Sequence, residues 1–417
     1  MFKDRYLPYL IVLITLCSDP FIWFNAFGLN DRIMSVFLIS ISFLFLAKKK
    51  VYMNPKDYLW FGSWIMIFLY INIHGTFLMD TTQIVQSYGY LFKMFFLFVL
   101  VYAIKNDFPK ILHLFFKVNI IIMYASVVLF FLLILGIELP SIEFYHGGPT
   151  ERLMDKNYLY PLGIVMDKTY FGNIIFNRIS GLTDEAGQLA LLVTWLLILN
   201  EFTLKSKSYR KSLIFCGIFT FSLGFLFSIV LLGIYFLLIK FTRPILILKN
   251  VALLSISIFI VYSLLGDIPK SYINSKIILR LVLTSNQQTF ITGDNRAQAL
   301  MNNYNEINSN DRLLFGFGVT ESEKRGTTRD FSTYGFVSLI TRYIPLYLLI
   351  IMYSKKIRVI LLLIVLINFI QRPGIHFVYQ MMCLTFIYYA PLFNRFKSKS
   401  PGLTNLKSRK FAHIFIS

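Results

Sequence analysis

Long uncharged runs constrain this chain more than any other feature. Leu7–Leu16, Ala186–Leu199 and Leu213–Ile239 carry no Asp, Glu, Lys or Arg apart from one another's flanks, and each is followed by a polar or basic stretch. Apolar segments of this length, repeated along a chain, are the hydropathy pattern of a helical membrane protein. A transmembrane barrel would show segments of about ten residues with alternating polarity, and these runs do not alternate. Of the 417 residues, 56% are hydrophobic and 17% aromatic, with 43 Phe and 25 Tyr. That is more apolar side chain than a soluble domain of this size can bury. The sequence therefore predicts an all-α, polytopic transmembrane bundle.

The formal net charge of +20 raises nucleic acid as a partner, but its distribution points away from it. Lys and Arg gather between apolar runs: Lys48–Lys50, Lys205 to Lys211, Lys355 to Arg358 and Arg395 to Lys410. Such clusters mark cytoplasmic connections and suit an anionic inner leaflet. Cys17, Cys216 and Cys383 lie inside apolar runs, in no metal spacing, and read as packing residues. The N-terminus enters its first apolar run without a cleavage site, which predicts a retained first span.

With orientation set by the basic clusters, the chain lays out about twelve spans with both termini cytoplasmic. The expected spans are Leu7–Leu29, Ile33–Ala47, Tyr58–Leu78, Tyr88–Ile104, Val118–Ile137, Ala186–Leu204, a hairpin within Leu213–Phe241, Val251–Gly266, Tyr334–Tyr353, Val359–Ile370 and Ile375–Phe393. The hairpin is expected because Leu213–Phe241 has basic clusters at both ends, and one crossing would put one of them outside; the break is placed near Ser222-Leu223-Gly224. Residues 138–185 form a first large outer loop, rich in turn signals such as Gly147-Gly148-Pro149 and Pro161. Residues 267–331 form a second, and residues 394–417 a basic cytoplasmic tail.

Polar residues at the mouths of these spans are the candidates for chemistry. Arg178, in Asn177-Arg178-Ile179-Ser180-Gly181-Leu182-Thr183-Asp184-Glu185, stands just before a span. An interfacial arginine can snorkel to headgroups, but its planar fork also suits phosphate oxygens. Gly181 allows a tight turn. Glu185 and Asp184 fall at a helix start, where a carboxylate can cap or act as a base. In the second outer loop, Asp294 could cap a helix with Arg296 in its first turn; a cation there opposes the helix dipole, so stability does not explain it. Gly316 and Gly318 follow in Leu314-Phe315-Gly316-Phe317-Gly318 and suit a turn. Arg342 within a span and Arg372 in an outward turn are intramembrane or interfacial cations of the kind that mark function. Lys93 is a weaker instance, and His376 beside Arg372 could be a base.

No Gly-x-x-x-x-Gly-Lys loop, His-Glu-x-x-His, Cys-x-x-Cys or Asp-x-Asp occurs. The sequence thus predicts no cofactor and no metal. It favours an activated substrate whose leaving group arginines can neutralise, such as a polyprenyl-diphosphate glycan.

The chain resembles the bacterial O-antigen polymerase family, related to the O-antigen ligases. The resemblance rests on Arg178-Ile179-Ser180-Gly181 with Glu185 opening a span, on Arg296 in a later outer loop followed by Leu314–Gly318, and on the span layout. It departs from the family at Glu185-Ala186, where Glu-Pro is common, and at Ser222-Leu223, where Ser-Arg is common. The absence of a ligase-type His-Asn pair after the second loop, where Tyr334-Gly335 begins a span, favours polymerase over ligase. The resemblance implies an inner-membrane, GT-C-like glycosyltransferase that joins undecaprenyl-diphosphate-linked oligosaccharide repeats at the periplasmic face, in lipopolysaccharide or related polysaccharide biosynthesis. It implies membrane lipid and a chain-length regulator protein as partners, and no nucleic acid. Arg178 and Arg296 would engage the diphosphate, with Arg342 and Arg372 as further cations, and Glu185 or Asp294 would deprotonate the acceptor hydroxyl. The alternatives are an O-antigen ligase, or a flippase in which the same cations line a path without chemistry.

Overall fold

A computed structural model describes residues 4–18, 21, 31–47, 53–137, 139–144, 156–161, 164–171, 174–183, 185–239, 263, 270, 304–308, 312–318, 329–371 and 377–399. They are mostly helical. In chain order the main elements are α1 (Leu7–Leu16), α2 (Asp31–Ala47), α3 (Pro55–Phe77), α4 (Thr81–Ile134), β1 (Ile142–Phe144), β2 (Lys156–Tyr160), β3 (Ile164–Phe171), β4 (Ile174–Gly181), α5 (Ala186–Phe202), α6 (Lys207–Ile218), α7 (Leu223–Ile239), α8 (Arg329–Thr341), α9 (Ile344–Tyr353), α10 (Val359–Gln371) and α11 (Val378–Lys399).

The helices follow the apolar runs. The Leu213–Phe241 run breaks at Phe219–Ser222, where Phe221 takes a φ of 47°. The close approach of α6 and α7 there depends on Gly217, because a Cβ would fall 2.2 Å from the Phe225 ring. The helical run α4 is 54 residues long with Pro109 inside it. At 1.5 Å per residue it would measure about 81 Å if straight, against about 30 Å of hydrocarbon. Its contacts show two halves. Gln83 meets His74 near the end of α3 and Lys105 meets Asp57 near its start, so the first half runs antiparallel to α3. Phe108 then packs on Phe386 and Phe130 on Phe219, so the second half returns past α11 towards the α6–α7 turn.

One buried clamp sets the level of three helices. The Asp57 side chain is 1% exposed. It accepts from Lys105 Nζ at 2.8 Å, from the Asn54 backbone N–H at 2.8 Å and from the Tyr389 hydroxyl. Trp60 stacks on Tyr388 and donates to Thr385 one turn further in.

The stretch expected as a loop, 138–185, contains a four-stranded antiparallel sheet in the order β1-β2-β3-β4. The all-α expectation is corrected accordingly. Its strands are rich in β-branched and aromatic residues, such as Ile164-Val165-Met166 and Ile174-Ile175-Phe176. Phe171 pairs with Ile174 across a two-residue connection, Gly172-Asn173, a sequence signal for a tight hairpin. The sheet packs on α4 and α5, and β4 is tied to the helices by Ile179 N–H donating to Phe219 O at 3.3 Å. A bridge between Phe21 and Thr183 adds the end of α1.

Two helical segments, Thr81–Ile134 and Thr333–Tyr353, are long and apolar enough to cross a membrane; the second spans α8 and α9. Several others are shorter and apolar, among them α1, α5 and α7. Large apolar side chains stand exposed in helical rows: Leu59, Met66 and Ile73 on α3; Ile121, Tyr124, Val128 and Phe131 on α4; Phe227, Val230, Ile234 and Leu238 on α7. Rows of this kind exceed the scattered apolar exposure of soluble monomers.

The clamp carries a pH signature. Burial pushes the Asp57 carboxyl up, but the Lys105, Tyr389 and Asn54 hydrogen bonds and the Lys105 charge outweigh it, leaving the group below its usual 3.8. A depressed carboxylate stabilises the fold above the unfolded value and loses that contribution as pH falls through the folded one. We expect the clamp's contribution to persist from neutral pH down to about pH 4 and to fade below that. Asp57→Asn should lower stability at neutral pH by on the order of 3 kcal/mol, because Lys105 loses its counter-charge. Thermal melts in detergent across pH check both, and a variant as stable as the parent would remove the clamp from this account.

Candidate functional site

Two polar clusters gather at the end of the bundle opposite the Asp57 clamp. The levels follow from α11, which starts with Tyr379 against Phe21 and runs to Tyr389 at the clamp.

The first cluster is the corner where β4 turns into α5. Arg178 lies directly across from Asp167 of β3 in the sheet register, and the two form an ion pair. The Asp167 side chain is 4% exposed and that of Arg178 26%, so the arginine is anchored in the sheet and its side chain is partly accessible. Ser180 follows two residues on, on the same face of the strand. Gly181 takes a φ of 62°, and a Cβ there would meet Leu189 of α5 at 3.3 Å. Thr183 Oγ1 lies 2.7 Å from Ser180 O and 3.0 Å from Glu185 O, fixing the turn. Glu185 is the half-buried N-cap residue of α5 with extended backbone; its carbonyl, not its carboxylate, accepts the first helical bonds, from Gln188 and Leu189. The carboxylate therefore does not cap the helix. Among the described residues, Arg178 Nε, Asn177 Oδ1, Ser180 Oγ and Gln188 Oε1 are buried atoms that no protein group satisfies.

The second cluster joins the α3–α4 corner to the 312–318 turn and α8. His74 is buried, and its Nδ1 accepts from the Gln83 amide while Nε2–H donates to the Phe315 carbonyl. The Tyr70 hydroxyl donates to Tyr334 O at 2.7 Å. Arg342, 2% exposed at the break between α8 and α9, places its guanidinium 4.4 Å from the Tyr334 ring centre, a cation–π contact. Gly316 and Gly318 take φ values of 70° and 87°. The turn is stitched to α8 by Gly318 N–H to Thr333 O at 2.9 Å, Phe336 N–H to Leu313 O at 2.9 Å and Val337 N–H to Leu314 O at 3.1 Å. Gly335, φ 67°, is what lets the two backbones meet, since a Cβ there would fall 2.4 Å from Leu314 O.

The expected site residues thus divide. Arg178, Gly181 and Glu185 share the sheet corner; Arg342, Gly316 and Gly318 share the His74 cluster. Asp184, Asp294, Arg296, Arg372 and His376 lie outside the described residues, as does most of the 267–331 segment. Lys93 sits on the first half of α4, 5.9 Å from the Tyr90 ring centre. Asp167, His74 and Gln83 were not foreseen. Asp167 required the strand register. His74 and Gln83 stand out once ionisable and amide residues inside apolar helices are treated as marked positions. Among the described residues no three His, Cys, Asp or Glu side chains gather as metal ligands. Comparison with known proteins adds no relative: no family model, no curated protein and no solved structure matches this chain.

Gly335→Ala should detach the 312–318 turn, through the clash and the strained backbone. Hydrogen exchange at the Phe336 and Val337 amides should rise by more than tenfold while exchange around Asp57 stays unchanged. Unaltered exchange at both amides would rule out the packing described for Gly335.

Proposed function

We propose that the protein is a multi-pass inner-membrane glycosyltransferase of the O-antigen polymerase type. In this reading it transfers a growing glycan from undecaprenyl diphosphate to a hydroxyl of the next lipid-linked repeat at the periplasmic face. Support for the membrane setting comes from the exposed apolar rows and from charge placement. The basic turns Lys205–Lys211 and Lys355–Arg358 lie at the clamp end, and the sheet lies at the other, so positive-inside sidedness turns the sheet corner outwards.

One observation carries the chemistry: Arg178, partly exposed, is held by Asp167, and its own Nε and the Ser180 hydroxyl on the same strand face are buried without a protein partner. A ligand rich in oxygens and hydroxyls would satisfy these atoms, as a sugar diphosphate does. Asp167 fixes the fork at one edge and leaves the other edge for phosphate oxygens. As the glycosidic bond to diphosphate breaks, negative charge grows on the leaving oxygens, and a preorganised guanidinium stabilises it. Arg296, from the second loop, is proposed as the second cation. Glu185, the N-cap residue of α5 at the same corner, is proposed as the base for the acceptor hydroxyl, with Asp294 as its alternative. Arg342, locked against Tyr334, fits a structural role for the His74 cluster better than contact with diphosphate. The GT-C-like architecture and the roughly twelve-span count belong to this proposal.

Purified protein with lipid-linked repeats in detergent should make polymer without nucleotide. Arg178→Ala and Arg178→Lys should each reduce turnover by at least about a hundredfold, Lys because it lacks the fork. Asp167→Asn should reduce it less, by roughly tenfold, by loosening Arg178. Polymer formation by Arg178→Ala at the parental rate would sink the mechanism, and repeat translocation into vesicles without polymer would replace it with a flippase. Sidedness has its own check: Cys at Glu143 should react with an impermeant thiol reagent in intact spheroplasts, and Cys at Lys207 only after lysis.

A further inference from the structure

A small cavity lies at the opposite end of the bundle, between α5, α6 and α7. A cavity of about 120 Å³ is walled by Leu197, Ile214, Ile229, Leu232 and Phe236, with Gly233 and Glu201 completing it. Its volume is near the roughly 150 Å³ of dry apolar cavities that take up a small hydrocarbon. Glu201, the one carboxylate of the wall, is already neutralised: Arg210 Nε donates to it at 2.9 Å, and the same guanidinium lies 4.4 Å from the Phe236 ring centre. Tyr235, on the same helix, lies beside Arg358 from the turn before α10. Around this rim the chain sets Lys205, Lys207 and Lys211 on one turn and Lys355 and Lys356 on another, all exposed. The two turns are neighbours, because Phe202 packs on Tyr353 and Lys356 lies over Tyr353. Residues 201–239 and 344–371 contain no acid other than Glu201. An apolar slot beneath a nearly pure cationic rim at the cytoplasmic interface is complementary to one chemistry: a phosphate with an alkyl chain attached.

We propose that this slot binds an anionic phospholipid of the inner leaflet, its acyl chain entering between α6 and α7 and its phosphate lying among Arg210, Lys207 and Lys211. The proposal rests on the membrane setting put forward above and is independent of the polymerase chemistry. Arg210 orients towards the headgroup without losing Glu201, since one Glu oxygen engages only part of its fork. Gly233 is the geometric handle: a Cβ built there meets nothing within 4 Å, so a larger side chain enters the slot without backbone strain.

Native mass spectrometry of the full-length protein in detergent, titrated with phosphatidylglycerol or phosphatidylcholine of identical chains, tests this. The parent should retain phosphatidylglycerol about tenfold better than phosphatidylcholine, and added inorganic phosphate should not displace it. Gly233→Leu should cut retention of both lipids, and Lys207→Gln with Lys211→Gln should erase the preference for phosphatidylglycerol while leaving phosphatidylcholine retention unchanged. Equal retention of the two lipids by the parent would overturn the proposal, as would parental retention in both variants; if Gly233→Leu does not fold, the exposed lysine pair decides alone. Displacement by inorganic phosphate would also overturn it, by making the site one for the free anion. Release of the protein from membranes by alkaline carbonate would instead fail the membrane setting, a result distinct from a membrane-held protein with no lipid preference.

Discussion

A carboxylate with almost no solvent contact cannot stay charged unless its surroundings replace the water it has lost. Asp57 meets that requirement with a lysine, a tyrosine hydroxyl and a backbone N–H drawn from α4, α11 and the residue before α3. Loss of any one of these leaves a buried charge under-solvated, so three helices are held at one relative height. The positions of the rest follow. Above the clamp α11 runs to Phe21, α3 runs to His74, and the return half of α4 climbs to Phe130 beside the α6–α7 turn. The sheet corner and the His74 cluster are therefore at one end because their supporting helices start level at the other.

The helices were largely legible in the sequence because lipid-type helices advertise themselves by length and lack of charge. The expected Ala186–Leu204 span became α5, Ala186–Phe202, and the hairpin expected within 213–241 from its two basic flanks has its break at Phe219–Ser222, beside the expected Ser222-Leu223-Gly224. The sheet was missed for an equally physical reason. Strand signals are short, and Pro140, Gly147-Gly148-Pro149 and Pro161 masked them by announcing turns without saying what lay between. Gly172-Asn173 between two β-branched runs was the available clue. The doubling back of α4 was legible as two spans, but not that helical backbone continues through Lys105–Pro109.

Site residues were legible as individuals and not as partners. Arg178 could be singled out by its type and place, yet its ion pair with Asp167 depends on a strand register that no local pattern fixes. Gly316 and Gly318 were visible as turn formers. What the turn packs against, Gly335 and, through the Phe315 carbonyl, His74, is a long-range relation between segments far apart in the chain. The resulting division places an accessible guanidinium in the sheet and a buried one, Arg342, in a packed aromatic setting, two environments that the same residue type in the sequence could not distinguish.

The edges of the sheet have a consequence for how copies of the protein meet. An uncovered strand edge is a template on which a second chain can continue the ladder. Here β1, at one edge, is only three residues long and carries Glu143 at its centre. At the other edge, the β4 amide of Ile179 is already taken by the Phe219 carbonyl, and the strand's continuation is engaged at Thr183 by Phe21. One side is short and charged, and the other is engaged by the protein's own chain at Ile179 and Thr183. A β-rich cap can thus stand close to other copies without seeding intermolecular sheet.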